Sequence, residues 1–328
     1  MMIKKILIYT IVVTSNFVYA KSFKTFDFEG ALRVNYENNS EQNTSSSNIK
    51  VFQYELGVKL RPKRQIEGEF VFLSEEVGTL SPDVAIITYH QFLHKKLDLN
   101  IGFTAIPFGN FGTNFISYPL TQSLFEIKKS FANLVIDFSS FQLNMYAFNG
   151  SALVSTGDNI DTFGSTLSLE ETDDLFQFNL DLGYITNMLE SDTITTKLNG
   201  STTNSKIPGY FLFIATKYKR FGFIAEYISS TTIENEPTLL PKTNSSFTSY
   251  QVDLNYQINY RRNKYSILSI GKQATTNASF LGLSESAILI GLKSKIKSET
   301  FFNLEYKNSS DYKSKKSNTI TAQFELYF

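Results

Sequence analysis

Cysteine is absent from the 328 residues, and histidine occurs only twice, at His90 and His94. The first absence removes any disulfide framework and any thiolate metal site. The second leaves little material for imidazole catalysis. A protease or lipase centre on either histidine needs a serine or an acid positioned beside it, and nothing in the sequence establishes one. Both are therefore read as strand or turn residues of a protein that is not an enzyme. Charge of one sign is also missing, since Lys plus Arg and Asp plus Glu each total 31. That balance gives no electrostatic footprint for nucleic acid. Beyond the first twenty residues no apolar run approaches the ~20 residues of a membrane-crossing helix. The acids Glu170, Glu171, Asp173 and Asp174 lack the spacing and glycine of a calcium loop, and no glycine-rich phosphate loop occurs. No cofactor and no metal site is expected.

The first twenty residues themselves read as an export leader. Lys4 and Lys5 precede a mostly apolar stretch, Ile6 to Phe17, and Val18-Tyr19-Ala20 offers a cleavage site after Ala20. Removal of residues 1–20 takes away two lysines and no acid, leaving a single domain over 21–328 with a net charge of −2.

What is abundant is aromatic: 30 Phe and 18 Tyr, in a chain whose mean hydropathy is below zero. The hydrophobic period is two throughout, the signature of half-buried strands. Tyr250, Val252, Leu254, Tyr256, Ile258 and Tyr260 alternate with Gln251, Asp253, Asn255, Gln257 and Asn259. Phe176 to Tyr184, Phe28 to Tyr36 and Phe52 to Leu60 repeat the pattern, with Phe52, Tyr54, Leu56 and Val58 on the apolar side. A β-barrel in lipid accounts for this, with aromatics outside and a polar lumen. Expected strands are 25–36, 49–60, 65–74, 83–93, 97–107, 131–138, 141–149, 161–170, 175–186, 209–218, 221–230, 248–260, 264–273, 285–295, 300–308 and 318–328. Connections alternate. Short turns such as Arg61-Pro62-Lys63-Arg64 and Ser139-Ser140 alternate with long polar loops at 37–48, 108–130, 150–160, 187–208, 231–247, 274–284 and 309–317. Segment 41–48 reads as a loop tip, and no helix is expected.

The expected fold is all-β: a transmembrane antiparallel β-barrel of about 16 strands without a plug domain. Such a chain resides in the outer membrane of a Gram-negative bacterium, against lipid and lipopolysaccharide, with both termini periplasmic. Ile320, Ala322, Phe324, Leu326 and Phe328 form a closing strand, and terminal Phe328 resembles the signal read by the barrel-assembly machinery. Alternation turns Arg33, Glu55, Lys59, Glu67, Glu69, Asp137, Asp181, Glu226, Asp253 and Glu305 toward the lumen, where lining side chains set selectivity. Loop 108–130 differs from the others in carrying Phe108, Phe111, Phe115, Leu120, Leu124 and Phe125. So much apolar surface is not left in water. The loop is expected either to fold into the barrel as a constriction, with Asn110, Asn114 and Tyr118 as ligand contacts, or to pack over the rim.

The run Pro107-Phe108-Gly109-Asn110-Phe111-Gly112-Thr113-Asn114-Phe115-Ile116-Ser117-Tyr118-Pro119-Leu120-Thr121 resembles the signature stretch of the LbtU-type siderophore porins. Shorter matches follow in order, among them Tyr146-Ala147-Phe148-Asn149-Gly150, Ile207-Pro208-Gly209-Tyr210 and Leu304-Glu305-Tyr306. The resemblance implies a sixteen-stranded barrel that takes up ferric siderophore without a plug. Gly112 and Tyr118 stand where that family has an acid, which removes charge from the expected constriction. A general or anion-selective diffusion porin for small solutes is the alternative, and monomer and trimer remain equally open.

Overall fold

The computed structural model describes residues 26–41, 44–75, 78–151, 159–198, 205–232, 246–261 and 264–328. The expected leader at residues 1–20 lies outside them, as do Glu76 and parts of the expected loops at 150–160, 187–208 and 231–247.

Sixteen strands follow one another: β1 (Phe26–Glu41), β2 (Thr44–Lys63), β3 (Ile66–Glu75), β4 (Ser81–Tyr89), β5 (Leu97–Ala105), β6 (Lys128–Asp137), β7 (Phe141–Asn149) and β8 (Ile160–Thr172). The second half is β9 (Phe176–Ile185), β10 (Gly209–Tyr218), β11 (Phe221–Ser230), β12 (Thr248–Arg261), β13 (Lys264–Thr276), β14 (Ser286–Lys297), β15 (Thr300–Ser310) and β16 (Lys316–Tyr327). Each pairs antiparallel with its neighbour in sequence, and β1 pairs with β16, so the sheet closes into a barrel. Closure gives every strand two hydrogen-bonded neighbours and so removes the free edge of an open sheet. The ladder continues to the last residue, where Gly30 and Phe328 exchange backbone hydrogen bonds of 2.8 and 3.0 Å.

Alternation is the reason these segments are strands, because it places one apolar and one polar row on opposite faces of the wall. Leu254, Ile270, Ile290, Leu304 and Phe324 form part of the outward row and are exposed on the isolated chain. Gln251, Asp253, Glu305 and Gln323 face inward and are buried.

Three expectations are corrected. Strands β1 and β2 extend through most of 37–48, in register from Glu37↔Asn48 to Glu41↔Thr44. Thr44 to Asn48 is thus strand and not loop tip; a polar hairpin needs only its backbone ladder to persist above an apolar belt. The connection between β15 and β16 shrinks likewise to residues 311–315. Helices are present: α1 (Leu120–Phe125), α2 (Asp192–Leu198), and single 3-10 turns at Met188–Glu190 and Ser279–Leu281. The two α-helices have six and seven residues, too few for the 3.6-residue period to show in a sequence window of ~11–18 residues.

Candidate constriction in the barrel lumen

After Ala105 the chain turns into the barrel and stays there until Lys128. The turn at Gly109 has φ of +91°, with the Phe111 ring packed so close that a Cβ would lie 2.4 Å from it. Only glycine suits both conditions. Thr166 donates to the carbonyl oxygen of Pro107. From this start the loop sends its apolar and polar residues to different parts of the wall.

Phe108, Leu124 and Phe125 are completely buried. They join a core with Tyr146 and Phe148 of β7, Phe211 and Phe213 of β10, and Met188, Leu189 and Ile194 of the connection between β9 and β10. The rings of Phe108 and Phe211 meet edge to face at 5.2 Å. Side chains of this size contribute about 1.5–3 kcal/mol each when fully removed from water. Polar clasps hold the two loops together: Ser191 donates to the Leu124 carbonyl at 2.6 Å and Thr193 to the Ser123 carbonyl at 2.5 Å. The expected polar lumen is therefore corrected for one side of the barrel, where inward aromatics and two loops make a dry core.

The loop then crosses one rung of the wall. Registers align Asp181, Phe213, Glu226, Gln251 and Gln273 on neighbouring strands β9 to β13. Glu226, 2 % exposed, is the hub. Its Oε1 accepts the backbone N–H groups of Asn110 and Phe111 at 2.8 and 3.1 Å. Its Oε2 accepts Thr121 Oγ1 at 2.6 Å and Gln251 Nε2 at 3.2 Å. Gln251 Nε2 also reaches the Gly112 carbonyl oxygen at 3.1 Å, and Gln273 accepts the Leu120 N–H at 3.2 Å. Asp181 accepts Asn110 Nδ2 at 2.8 Å and Asp253 accepts Thr113 Oγ1 at 2.9 Å. Glu305 accepts the N–H groups of Ile116 and Ser117 at 2.6 and 3.0 Å, and the Ser117 hydroxyl as well. Hydrogen bonds to a charged group are worth about 1.5–3 kcal/mol each, so these four acids hold the loop in place. Phe115 adds a steric key: a Cβ on Gly271 would lie 2.5 Å from its ring.

Opposite this attachment lies a cavity of about 580 Å³ between the loop and the wall of β1 to β5, β14 and β16. Here the wall is charged. Arg33 lies 3.7 Å from Glu55 and 3.5 Å from Glu325. Lys293 lies 3.8 Å from Glu325, and Lys128 lies 2.5 Å from Asp83. Tyr118 projects into the cavity, 42 % exposed, with its ring 6.2 Å from that of Phe52. Burial holds the Glu126 carboxyl above its ordinary range, against the pull of Lys128. Burial likewise raises Asp192, against the backbone hydrogen bond from Lys128.

The three expected ligand contacts are thus separated. Tyr118 lines the 580 Å³ cavity. Asn114 lines another, about 400 Å³, with Glu170, Lys217 and Arg220 toward the short-turn end. Asn110 is committed to Asp181. Among the expected lumen charges, Asp181, Glu226, Asp253 and Glu305 bind the loop, while Arg33 and Glu55 face the cavity. Lys59 pairs with Glu29 and Glu69 at 3.3 and 3.2 Å, and Glu67 with Arg61 at 2.6 Å. Asp137 accepts the Ser139 N–H in a short turn. His90 and Asp98, 2.8 Å apart, close the turn between β4 and β5, and His94 lies in the same turn.

Several cavity residues escaped the sequence reading. Alternation predicts Phe52 on the outward face; instead it lines the cavity, because the pairing of β1 with β2 slips at Arg33/Val34 and leaves Phe52 outside the β1 ladder. Such a bulge re-aims a side chain, and only the register reveals it. Glu325 belongs to the polar row of the closing strand, so alternation alone marks it as inward. Glu126 and Asp192 sit at helix ends inside loops and carried no signal.

No family model matches this chain. It is similar to a UPF0422 protein of Coxiella burnetii, 23% identical over 256 residues, covering 70% of this chain and 55% of that one. The chain thus spans about half the length of that relative. Among solved structures it is similar to OprB of Pseudomonas putida, with a TM-score of 0.67, 11% identity, and 93% and 94% of the two chains covered. DcaP, an outer membrane channel of Acinetobacter baumannii, gives 0.63 at 14% identity over 92% and 97%. An anion-selective porin from Comamonas acidovorans gives 0.61 at 8% identity over 93% and 99%. At these identities the likeness establishes the fold alone: a closed 16-stranded antiparallel barrel.

Proposed function

We propose that this chain is an outer-membrane channel for small solutes, constricted by loop 106–127. The observation that carries the reading is a closed barrel, apolar outside, whose lumen is narrowed by an attached loop and keeps a charged cavity of about 580 Å³ beside it. In this reading residues 1–20 are a cleaved leader and both ends of the barrel domain are periplasmic. Phe328 is the assembly signal, and the outward apolar row meets lipid and lipopolysaccharide. Purified barrel inserted into planar bilayers is the direct test. Stepwise conductance supports the channel, and insertion without conductance overturns it.

Ferric siderophore is the particular solute that the resemblance at Pro107 to Thr121 favours. The structure adds a reason to take that run seriously, since it is the same segment that Glu226, Asp253 and Glu305 hold inside the barrel. A deletion strain in iron-poor medium, with and without the gene restored, tests this with radio-iron-loaded siderophore. Saturable restored uptake that falls in Tyr118→Ala supports it. Uptake that is unchanged by the gene removes that ligand and leaves the diffusion channel.

A further inference from the structure

We infer that the cavity beside Tyr118 selects cations over anions and favours organic cations through the neighbouring rings of Phe52 and Tyr118. This rests on the channel reading above. Three cations line the cavity, Arg33, Lys128 and Lys293, against six acids, a formal excess of three negative charges. The cations are not free to attract an anion. Arg33 is held between Glu55 and Glu325 and donates to Gln53; Lys293 is tied to Glu325, and Lys128 to Asp83. Three of the acids, Glu75, Glu126 and Asp192, have no salt bridge among the described residues. Charges of one sign in a narrow low-dielectric cleft concentrate ions of the opposite sign, and rings of acids are the usual filter for cations.

The aromatic pair is a second, independent observation. Alternation would place Phe52 on the lipid side, yet the bulge in β2 turns it into the cavity, where its ring lies 6.2 Å from that of Tyr118. Tyr118 Oη in turn lies 3.4 Å from Glu75 Oε1. Lys50 Nζ, 5.9 Å from the centroid of the Phe52 ring, already places one cation over that ring, and aromatic rings beside a carboxylate with no salt bridge among the described residues suit a weakly hydrated organic ammonium better than a small, strongly hydrated ion.

The test uses the full barrel in planar bilayers under a KCl gradient, followed by replacement of potassium by tetramethylammonium. The reversal potential is expected on the potassium side, with tetramethylammonium permeating better than its size alone allows. Glu75→Gln combined with Glu126→Gln should bring the potassium-to-chloride permeability ratio roughly twofold or more toward unity. Phe52→Leu should lower the tetramethylammonium-to-potassium ratio by about twofold. A conducting wild-type barrel that prefers chloride, or whose ratio ignores the paired substitution, overturns the inference and leaves the channel standing. A folded, inserted barrel that conducts nothing overturns the channel reading and this inference with it.

Discussion

Two sides of one lumen wall meet different fates from the same alternation. On the side of β7 to β13 the inward row includes Tyr146, Phe148, Phe211 and Phe213, and its acids are covered by loop 106–127. On the side of β1, β2, β14 and β16 the inward row is Arg33, Gln53, Glu55, Lys293, Gln323 and Glu325, and it borders open space. An inward residue is therefore not automatically a wet one. Whether a lumen carboxylate acts on a solute or on the protein itself depends on whether backbone N–H groups from the loop arrive to meet it. Glu226 has two such donors and two side-chain donors; among the described residues Glu75 has a distant phenol.

The largest expected effects belong to the dry side. Phe125→Ala removes a completely buried ring from the packing between the two loops. A change of this kind costs roughly 3–5 kcal/mol where the surroundings cannot collapse. The barrel ladders do not depend on it, so the loss should appear in the loop: protease cleavage within 106–127 and a larger, noisier conductance, with the heat-modified gel mobility of the barrel retained. Unchanged conductance would show that the core does not hold the constriction. Glu226→Gln comes next. An amide keeps the shape but presents N–H groups to donors that need acceptors, at a cost of roughly 1.5–3 kcal/mol for the charged hydrogen bonds lost. The same loop cleavage should follow more weakly. Glu75→Gln on the open side is the control, expected within about 0.5 kcal/mol of the parent by denaturant titration.

Arg33→Gln probes the open side more searchingly. Its pair with Glu55 at 3.7 Å is partly exposed, and such pairs are worth about 1 kcal/mol or less, while buried Glu325, 3.5 Å from Arg33, keeps Lys293 at 3.8 Å as a second cation. The loss of stability should therefore stay below that of Phe125→Ala, while the net charge of the cavity falls by one and the reversal potential shifts further toward potassium. A large loss of stability here would erase the contrast between the two sides.

The contrast also marks how far the sequence could be read. All sixteen strands and the long-short rhythm of most connections were legible, because a period of two repeated over ten residues needs no tertiary information. The loop's apolar residues announced that it would be buried, but two burial sites remained open, and only the position of Phe108, Leu124 and Phe125 against β7 and β10 decides between them. The inward aromatics of those strands were illegible as lumen residues, since alternation fixes which residues share a face without naming what that face touches. Phe52 shows the converse failure. One unpaired residue inverts the phase of a strand, and no composition signal accompanies it. Asn110 and Asn114 are polar residues of one loop, yet backbone direction sends one to Asp181 and the other to the far cavity.

The smallest expected effect concerns pH on the open side. Glu126 and Asp192 face the open cavity, and burial raises both above the ordinary carboxylate range. Around them stand Lys128, Lys129 and Asp83, with Gln122 donating to Glu126 at 3.0 Å. A raised carboxyl pKa means that the neutral form is reached at a higher pH than for a free acid. As pH is lowered from neutral, these two groups therefore lose charge before acids with ordinary values do. The cavity then retains Arg33, Lys128 and Lys293 against fewer negative charges, and the proposed preference for cations should weaken. Reversal potentials measured in steps below neutral should fall toward zero in the parent. In Glu126→Gln the decline should be shallower, because one of the early-titrating groups is already neutral. An identical decline in the variant would assign the titration to other acids and remove Glu126 from the selective wall.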